Sequence, residues 1–331
     1  MDMDIDKKLR GRRVLVTGGA GFIGSNLVES LLEEDNYVVC LDNFSTGKRR
    51  NIEKFLDNPK FRLIEGEIRD VSICREAVEG TDIVFHQAAL GSVPRSIADP
   101  VSSTDINTGG FVKIIFAAKE AGVERFIYAT SSSVYGDNTD LPKVEDKIGK
   151  PLSPYGVTKL TDELFAEVFS TIYDIKVIGL RYFNVFGPMQ DPEGAYAAVI
   201  PKFILQLMRH ERPVINGDGT ISRDFTFVNN VVQANHLAAI VEKEDALNQV
   251  YNIACGKSTS LARIFEIIRE CLGKYDKNIS GIEPLCGPER PGDIKHSMAS
   301  IKKARELIGY SPMINVSEGL EKTVEWFMND R

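Results

Sequence analysis

Tyr155 and Lys159 stand four residues apart in Ser153-Pro154-Tyr155-Gly156-Val157-Thr158-Lys159. Ser153 suits a helix N-cap and Pro154 the first helical position. At that spacing a phenol and an ammonium share one helix face. A phenol in water titrates near 10, so service as a base at neutral pH needs a shift of about 3 units, roughly 4 kcal/mol. A neighbouring ammonium and the positive end of a helix both push that way. Upstream, the apolar run Arg125–Thr130 ends in Ser131-Ser132-Ser133. Hydroxyls at such a strand end donate to a developing alkoxide or carbonyl oxygen. Each signal alone is an ordinary surface helix or turn; their order behind the segment described next favours chemistry.

That segment is Val14-Leu15-Val16-Thr17 running into Gly18-Gly19-Ala20-Gly21-Phe22-Ile23-Gly24. The glycines permit a sharp exit from a strand, close approach of a pyrophosphate to the backbone, and tight helix–sheet packing. The N-terminus of the following helix offers unpaired N–H groups to phosphate. Eighteen residues past Gly24, a second apolar run ends in Asp42. A carboxylate there accepts both ribose hydroxyls and repels a 2′-phosphate, which points to NAD rather than NADP. The competing readings are a plain tight turn, and an NADP site using Lys48, Arg49 and Arg50. The basic run reads more simply as a solvated loop.

These groups need a scaffold. Apolar runs at Arg13–Val16, Tyr37–Leu41, Phe61–Glu65, Ile83–His86, Arg125–Thr130 and Lys176–Arg181 alternate with helical patterns at Ile23–Glu33, Ser72–Glu79, Thr104–Ala121 and Pro154–Tyr173. That rhythm predicts an α/β fold, a Rossmann-type doubly wound parallel sheet. After about Asn184, Gly and Pro punctuate the chain and the rhythm loosens, which predicts a smaller α/β substrate-binding domain. The expected division is 1–183 with 224–254 returning to it, against 184–223 with 255–331. The 331 residues carry a formal net charge of -7, which disfavours nucleic acid as a partner. Five scattered cysteines and four dispersed histidines suggest neither a disulfide framework nor a metal site. With no apolar leader or membrane-length segment, the expectation is a soluble, cytoplasmic protein.

TGGAGFIGSNL, LDNFSTGK, HQAA, SSSVYG, SPYGVTK, LRYFNVFGP and the late R-P-G-D together resemble the extended short-chain dehydrogenase/reductases, and among them the UDP-hexose 4-epimerases. HQAALGSVPRSIADP, KPLSPYGVTK and DPEGAYAAVIPKF are similar to the UDP-N-acetylglucosamine 4-epimerase subgroup. The resemblance implies an isomerase with tightly bound NAD that supplies polysaccharide precursors by way of a transient 4-keto sugar. It makes Tyr155 the base at the sugar 4-hydroxyl, with Lys159 on the nicotinamide ribose and Ser131, Ser132 and Ser133 near O4. Gly18, Gly21, Phe22, Ile23, Gly24, Asp42, Asn43, Ser45, Thr46 and Gly47 would hold the adenosine half of NAD, with Glu67, Ile68, Gln87 and Thr108 also lining it. Ser92, Asn184, Tyr196, Ala197, Ala198, Val199, Asn216, Arg223, Arg290 and Asp293 would hold the UDP-sugar.

Three positions depart from many relatives: Glu67 for Asp, Gly91 for Lys, and Ser297 where hexose-restricted relatives place a bulky Tyr. The small Ser297 leaves room for a 2-N-acetyl group. The expected reaction is therefore interconversion of UDP-N-acetylglucosamine and UDP-N-acetylgalactosamine. UDP-glucose epimerisation stays open, as does a UDP-glucuronate epimerase or decarboxylase with Arg95 on the carboxylate, or a non-catalytic NAD-binding protein. Relatives pair the helices at Thr104–Ala121 and Ser153–Tyr173 as a four-helix bundle, which implies a homodimer.

Overall fold

The computed structural model describes residues 9–193, 197–288 and 295–329. Six parallel strands, β1 (Arg13–Thr17), β2 (Tyr37–Asp42), β3 (Phe61–Glu65), β4 (Ile83–His86), β5 (Arg125–Ser131) and β6 (Val177–Tyr182), are joined by Gln249–Ile253 as a seventh. The order across the sheet is Gln249–Ile253, β6, β5, β4, β1, β2, β3. The order reverses between β1 and β4, which opens a crevice at the carboxyl ends of the strands.

Burial explains why the runs read as continuous apolar segments rather than as alternation. In β1, Val14 and Val16 enter the core cluster on one face, with Val28 and Leu31 of the helix Phe22–Glu33. Leu15 enters the cluster on the other face, with Ile114 and Ile115 of Gly110–Glu120. Successive side chains point to opposite faces, so both faces are dry.

The helical pattern at Thr104–Ala121 is longer and less regular than its periodicity predicts. It runs from Pro100–Thr104 through a π-turn at Asp105–Gly109 into Gly110–Glu120. The extra residue rotates Asn107 inward, where its side chain accepts from the Leu90 N–H at 2.7 Å and donates to the Thr158 hydroxyl at 3.1 Å. A π-turn of this kind often marks a functional site.

Beyond Tyr182 the strands shorten. Val185–Phe186 pairs with Thr226–Phe227, Ser222–Arg223 with Thr259–Ser260, and Val214–Asn216 with Leu285–Gly287. The helices Val199–Met208, Leu261–Gly273 and Val316–Asn329 close around a third core that includes Phe203, Phe265, Ile268 and Phe327. Among the described residues no helix is long and apolar enough to cross a membrane, and no group of His, Cys, Asp and Glu is arranged to hold a metal ion.

A buried polar network fixes the helix Pro154–Tyr173 to the sheet. The Arg181 guanidinium forks onto Glu163, at 2.9 Å from Nε and 2.7 Å from Nη2, and the Thr130 hydroxyl donates to the same carboxylate at 2.7 Å. Arg181 also donates to the Tyr135 hydroxyl at 3.1 Å, which in turn donates to Asn252 at 2.7 Å. Breaking a buried pair strands the surviving charge. Glu163→Ala should therefore lower unfolding free energy by about 3–5 kcal/mol in urea titrations; a loss below about 1 kcal/mol would remove the bridge from this role.

Candidate active site

The glycine turn is built to exclude side chains. Gly18 adopts φ +67°, and a Cβ there would lie 2.8 Å from the Ala88 backbone, while one on Gly24 would lie 2.1 Å from the Gly18 carbonyl. The next helix begins at Phe22 with Gly21 as N-cap, no side-chain capping bond and no acidic residue in its first turn. Its leading N–H groups and positive end are thus left for an anion at the cleft, where Gly18, Gly21, Phe22, Ile23 and Gly24 all form the wall. These residues fit a dinucleotide pyrophosphate.

Asp42, at the end of β2, accepts from the Ala20 N–H at 2.9 Å and the Phe44 N–H at 2.8 Å. Each carboxylate oxygen keeps a lone pair for a further donor. Burial raises its carboxyl above the ordinary range against these two hydrogen bonds. Gly47 stands outside the lining, but a Cβ on it would lie 2.9 Å from the Asp42 carboxylate, so it makes room for that group. Asn43, Ser45, Thr46, Glu67 and Ile68 continue the wall. Asn43 donates to Glu67 at 2.8 Å, as does Arg69 at 3.0 Å. Partial burial raises the Glu67 carboxyl, but these hydrogen bonds outweigh it and hold the group below its usual range. Two members of the basic run are held in ion pairs, Lys48 with Asp191 at 3.4 Å and Arg49 with Glu65.

Gln87 closes the floor. It accepts from the Tyr182 hydroxyl at 3.1 Å and donates to Asn235 at 3.2 Å, and Asn235 donates back to Tyr182 at 2.9 Å. Burial pushes the Tyr182 phenol up to about 12. One residue earlier, His86 bonds the Thr17 hydroxyl at 2.8 Å between the rings of Phe111 and Phe126. Burial, and then the charge of Lys159, hold its imidazole down to about 3.

On the opposite wall Ser153 caps its helix as the sequence predicts, accepting from the Gly156 N–H at 3.1 Å. Tyr155 lines the cleft, and its backbone N–H donates to the Ser96 hydroxyl at 3.0 Å. Lys159, one turn on, also reaches the cleft; its ammonium donates to the Ala129 carbonyl at 2.9 Å and to Asp162 at 3.2 Å. Burial pushes the Asp162 carboxyl up to about 7 against the pull of Lys159. Ser131, Ser132 and Ser133 face the same space, with the Ser131 and Ser133 hydroxyls 2.6 Å apart. Val93, Pro94, Ile97 and Leu152 add an apolar rim. The cleft spans about 1060 Å³ and also includes Asn184, Arg223 and Ser297.

The remaining sequence candidates lie apart from this lining. Ser92 caps the short helix Val93–Ala98 through the Arg95 N–H at 3.3 Å. Thr108 sits in the π-turn, where Ile106 faces the cleft and the adjacent Asn107 is buried. Ala197, Ala198 and Val199 lie at the start of the helix Val199–Met208, and Asn216 ends a strand; none of them reaches the lining. Tyr196, Arg290 and Asp293 lie outside the described residues. Tyr182, Asn235, Asn107 and Asp162 were not anticipated. Tyr182 lies within LRYFNVFGP, so its signal was present; the others are shown only by burial.

A model of the NAD dependent epimerase/dehydratase family matches residues 14–254. A putative UDP-glucose 4-epimerase of Methanocaldococcus jannaschii is 36% identical over 96% of this chain and 99% of its own. The solved UDP-N-acetylglucosamine 4-epimerase from Methanobrevibacter ruminantium M1, in complex with UDP-N-acetylmuramic acid, superposes with a TM-score of 0.90 at 40% identity, covering 98% of this chain and 100% of that one. UDP-glucuronic acid 4-epimerase from Bacillus cereus, solved with UDP-glucuronic acid and NAD, gives 0.86 at 31%, covering 96% and 100%.

Gly24→Ala forces the helix away from the turn. The purified variant should carry at least about tenfold less NAD than wild type, measured after denaturation, with roughly 2 kcal/mol lower stability; full NAD retention would disprove this account of the turn.

Proposed function

This chain belongs to the NAD dependent epimerase/dehydratase family and is an NAD-dependent enzyme of the UDP-sugar 4-epimerase kind, and we propose that it interconverts UDP-N-acetylglucosamine and UDP-N-acetylgalactosamine. The observation that carries this reading is that Tyr155, Lys159 and the three serines meet the glycine turn across one cleft. NAD bound there supplies reversible hydride acceptance.

In this reading the Tyr155 phenol oxygen takes the proton from the sugar 4-hydroxyl and returns it after the sugar has turned over. Lys159 keeps a fixed positive charge one helical turn away, which favours the phenolate. Ser131 and Ser133 hold O4, so the developing keto oxygen meets donors already in place. Inversion needs a nucleotide held firmly and a sugar held loosely. Arg223 and Asn184, which line the cleft, fit the nucleotide end. The small Ser297 and the apolar rim leave space for an acetamido group.

The helices Gly110–Glu120 and Pro154–Tyr173 present an apolar stripe away from the cleft, with Leu164 55% and Ile172 66% exposed beside Phe116, Val157 and Val168. A second copy pairing through this stripe as a four-helix bundle accounts for it, giving a homodimer.

Incubation with UDP-N-acetylglucosamine, UDP-glucose and UDP-glucuronate separately, read by NMR, should yield the C4 epimer fastest from the acetylated sugar. Faster turnover of UDP-glucose would transfer the assignment to that sugar, and carbon dioxide release from UDP-glucuronate would replace the reaction. Tyr155→Phe should lower kcat by about 10²–10⁴-fold; near-wild-type turnover defeats the mechanism. Light scattering should return twice the chain mass, and Ile172→Glu should halve it.

A further inference from the structure

An ammonium group has three N–H donors. In Lys159 one goes to the Ala129 carbonyl at 2.9 Å and one to Asp162 Oδ2 at 3.2 Å, with side chains only 3% and 0% exposed. The second oxygen of Asp162 is buried without a hydrogen-bond partner. An isolated carboxylate in such a place is costly, and a cation at hydrogen-bond distance offsets the cost. The charges around it are otherwise engaged. Glu163, next on the helix, holds Arg181 of β6 and Thr130 of β5. Tyr128 of β5 is fully buried and kept neutral by burial, then by Glu163. His86 of β4 is neutral and bonded to Thr17. On the outer helical layer, Asp105 is paired with Arg69 at 2.8 Å, and Lys119 lies over the Tyr173 ring at 5.3 Å. Elsewhere an acid three residues from a cation, as in Arg263 with Glu266, sits in solvent. This pair is dry, and its lysine lines the same cleft as Tyr155.

We propose that Asp162 is a positioning residue for Tyr155 and Lys159: it holds the ammonium against the end of β5, and its negative charge sets how much positive potential reaches the phenol one turn away. The inference rests on Tyr155 being the proton-transferring group. Once ionised, at and above about pH 7, Asp162 partly cancels the field of Lys159, so the phenolate forms less readily there than beside an unopposed ammonium. Neutralising Asp162 therefore releases more of that field to Tyr155. A bare structural brace would alter stability without altering this balance.

The test uses the NAD-loaded enzyme and Asp162→Asn, which removes the charge and keeps an oxygen acceptor for Lys159. The acid limb of the kcat/KM profile should move to lower pH by on the order of one unit. The near-ultraviolet phenolate absorbance assigned to Tyr155, by difference from Tyr155→Phe, should appear at correspondingly lower pH. If Asp162→Asn does not fold, Asp162→Ser carries the same expectation. The absorbance titration needs no substrate, so it decides the matter even if no UDP-sugar is turned over, a result that would count against the functional reading alone. A phenolate midpoint and an acid limb coincident with wild type, with lowered thermal stability only, would overturn the proposal.

Discussion

The fork of Arg181 on Glu163 is the contact on which the reactive half of the molecule depends. It crosses from β6 to the helix Pro154–Tyr173, and Thr130 of β5 joins the same carboxylate. Pinning a helix at this carboxylate fixes its rotation as well as its distance from the sheet. Tyr155 and Lys159 therefore face the strand ends. Arg181 extends the hold to Tyr135 and, through it, to Asn252 on the strand Gln249–Ile253. Three adjacent strands and one helix thus share a single buried network, whose hydrogen bonds strengthen in a dry interior and tolerate no missing member.

The two ends of the cleft use different chemistry. At the dinucleotide end the work falls to backbone N–H groups, a close glycine turn and the fixed carboxylates of Asp42 and Glu67. At the end bearing Tyr155 the wall consists of short hydroxyls and the apolar side chains of Val93, Pro94, Ile97 and Leu152. The first arrangement is directional and rigid. The second makes few angular demands, which suits a ligand group that has to present both faces in turn.

Much of this was legible in the residues. Parallel strands covered on both faces leave unbroken β-branched runs, so β1 to β6 fall within a residue of their expected ends. The glycine turn was readable because its constraint is backbone clearance, which glycine alone satisfies. The π-turn was not, since Ile106 is the one apolar residue in Asp105–Gly109 and a single position sets no period. The family resemblance names Thr108 here; in the fold the adjacent Asn107 is the residue whose side chain bonds inward, to Leu90 and Thr158. Asp162 was hidden for another reason: an acid three residues past a lysine reads as a solvated surface pair, and only its burial separates it from Glu266. The two- and three-residue strands beyond Tyr182 are too short to carry any period.

The hydrogen bond from the Tyr155 backbone to Ser96 also has a bearing on redesign. Ser96 belongs to the short helix whose Val93, Pro94 and Ile97 form the apolar rim. The apolar rim and Tyr155 are consequently wired together at the main chain. Exchanging residues 92–98 for those of a relative would therefore disturb Tyr155 together with the rim, and libraries built on that helix should be screened for turnover and selectivity at once.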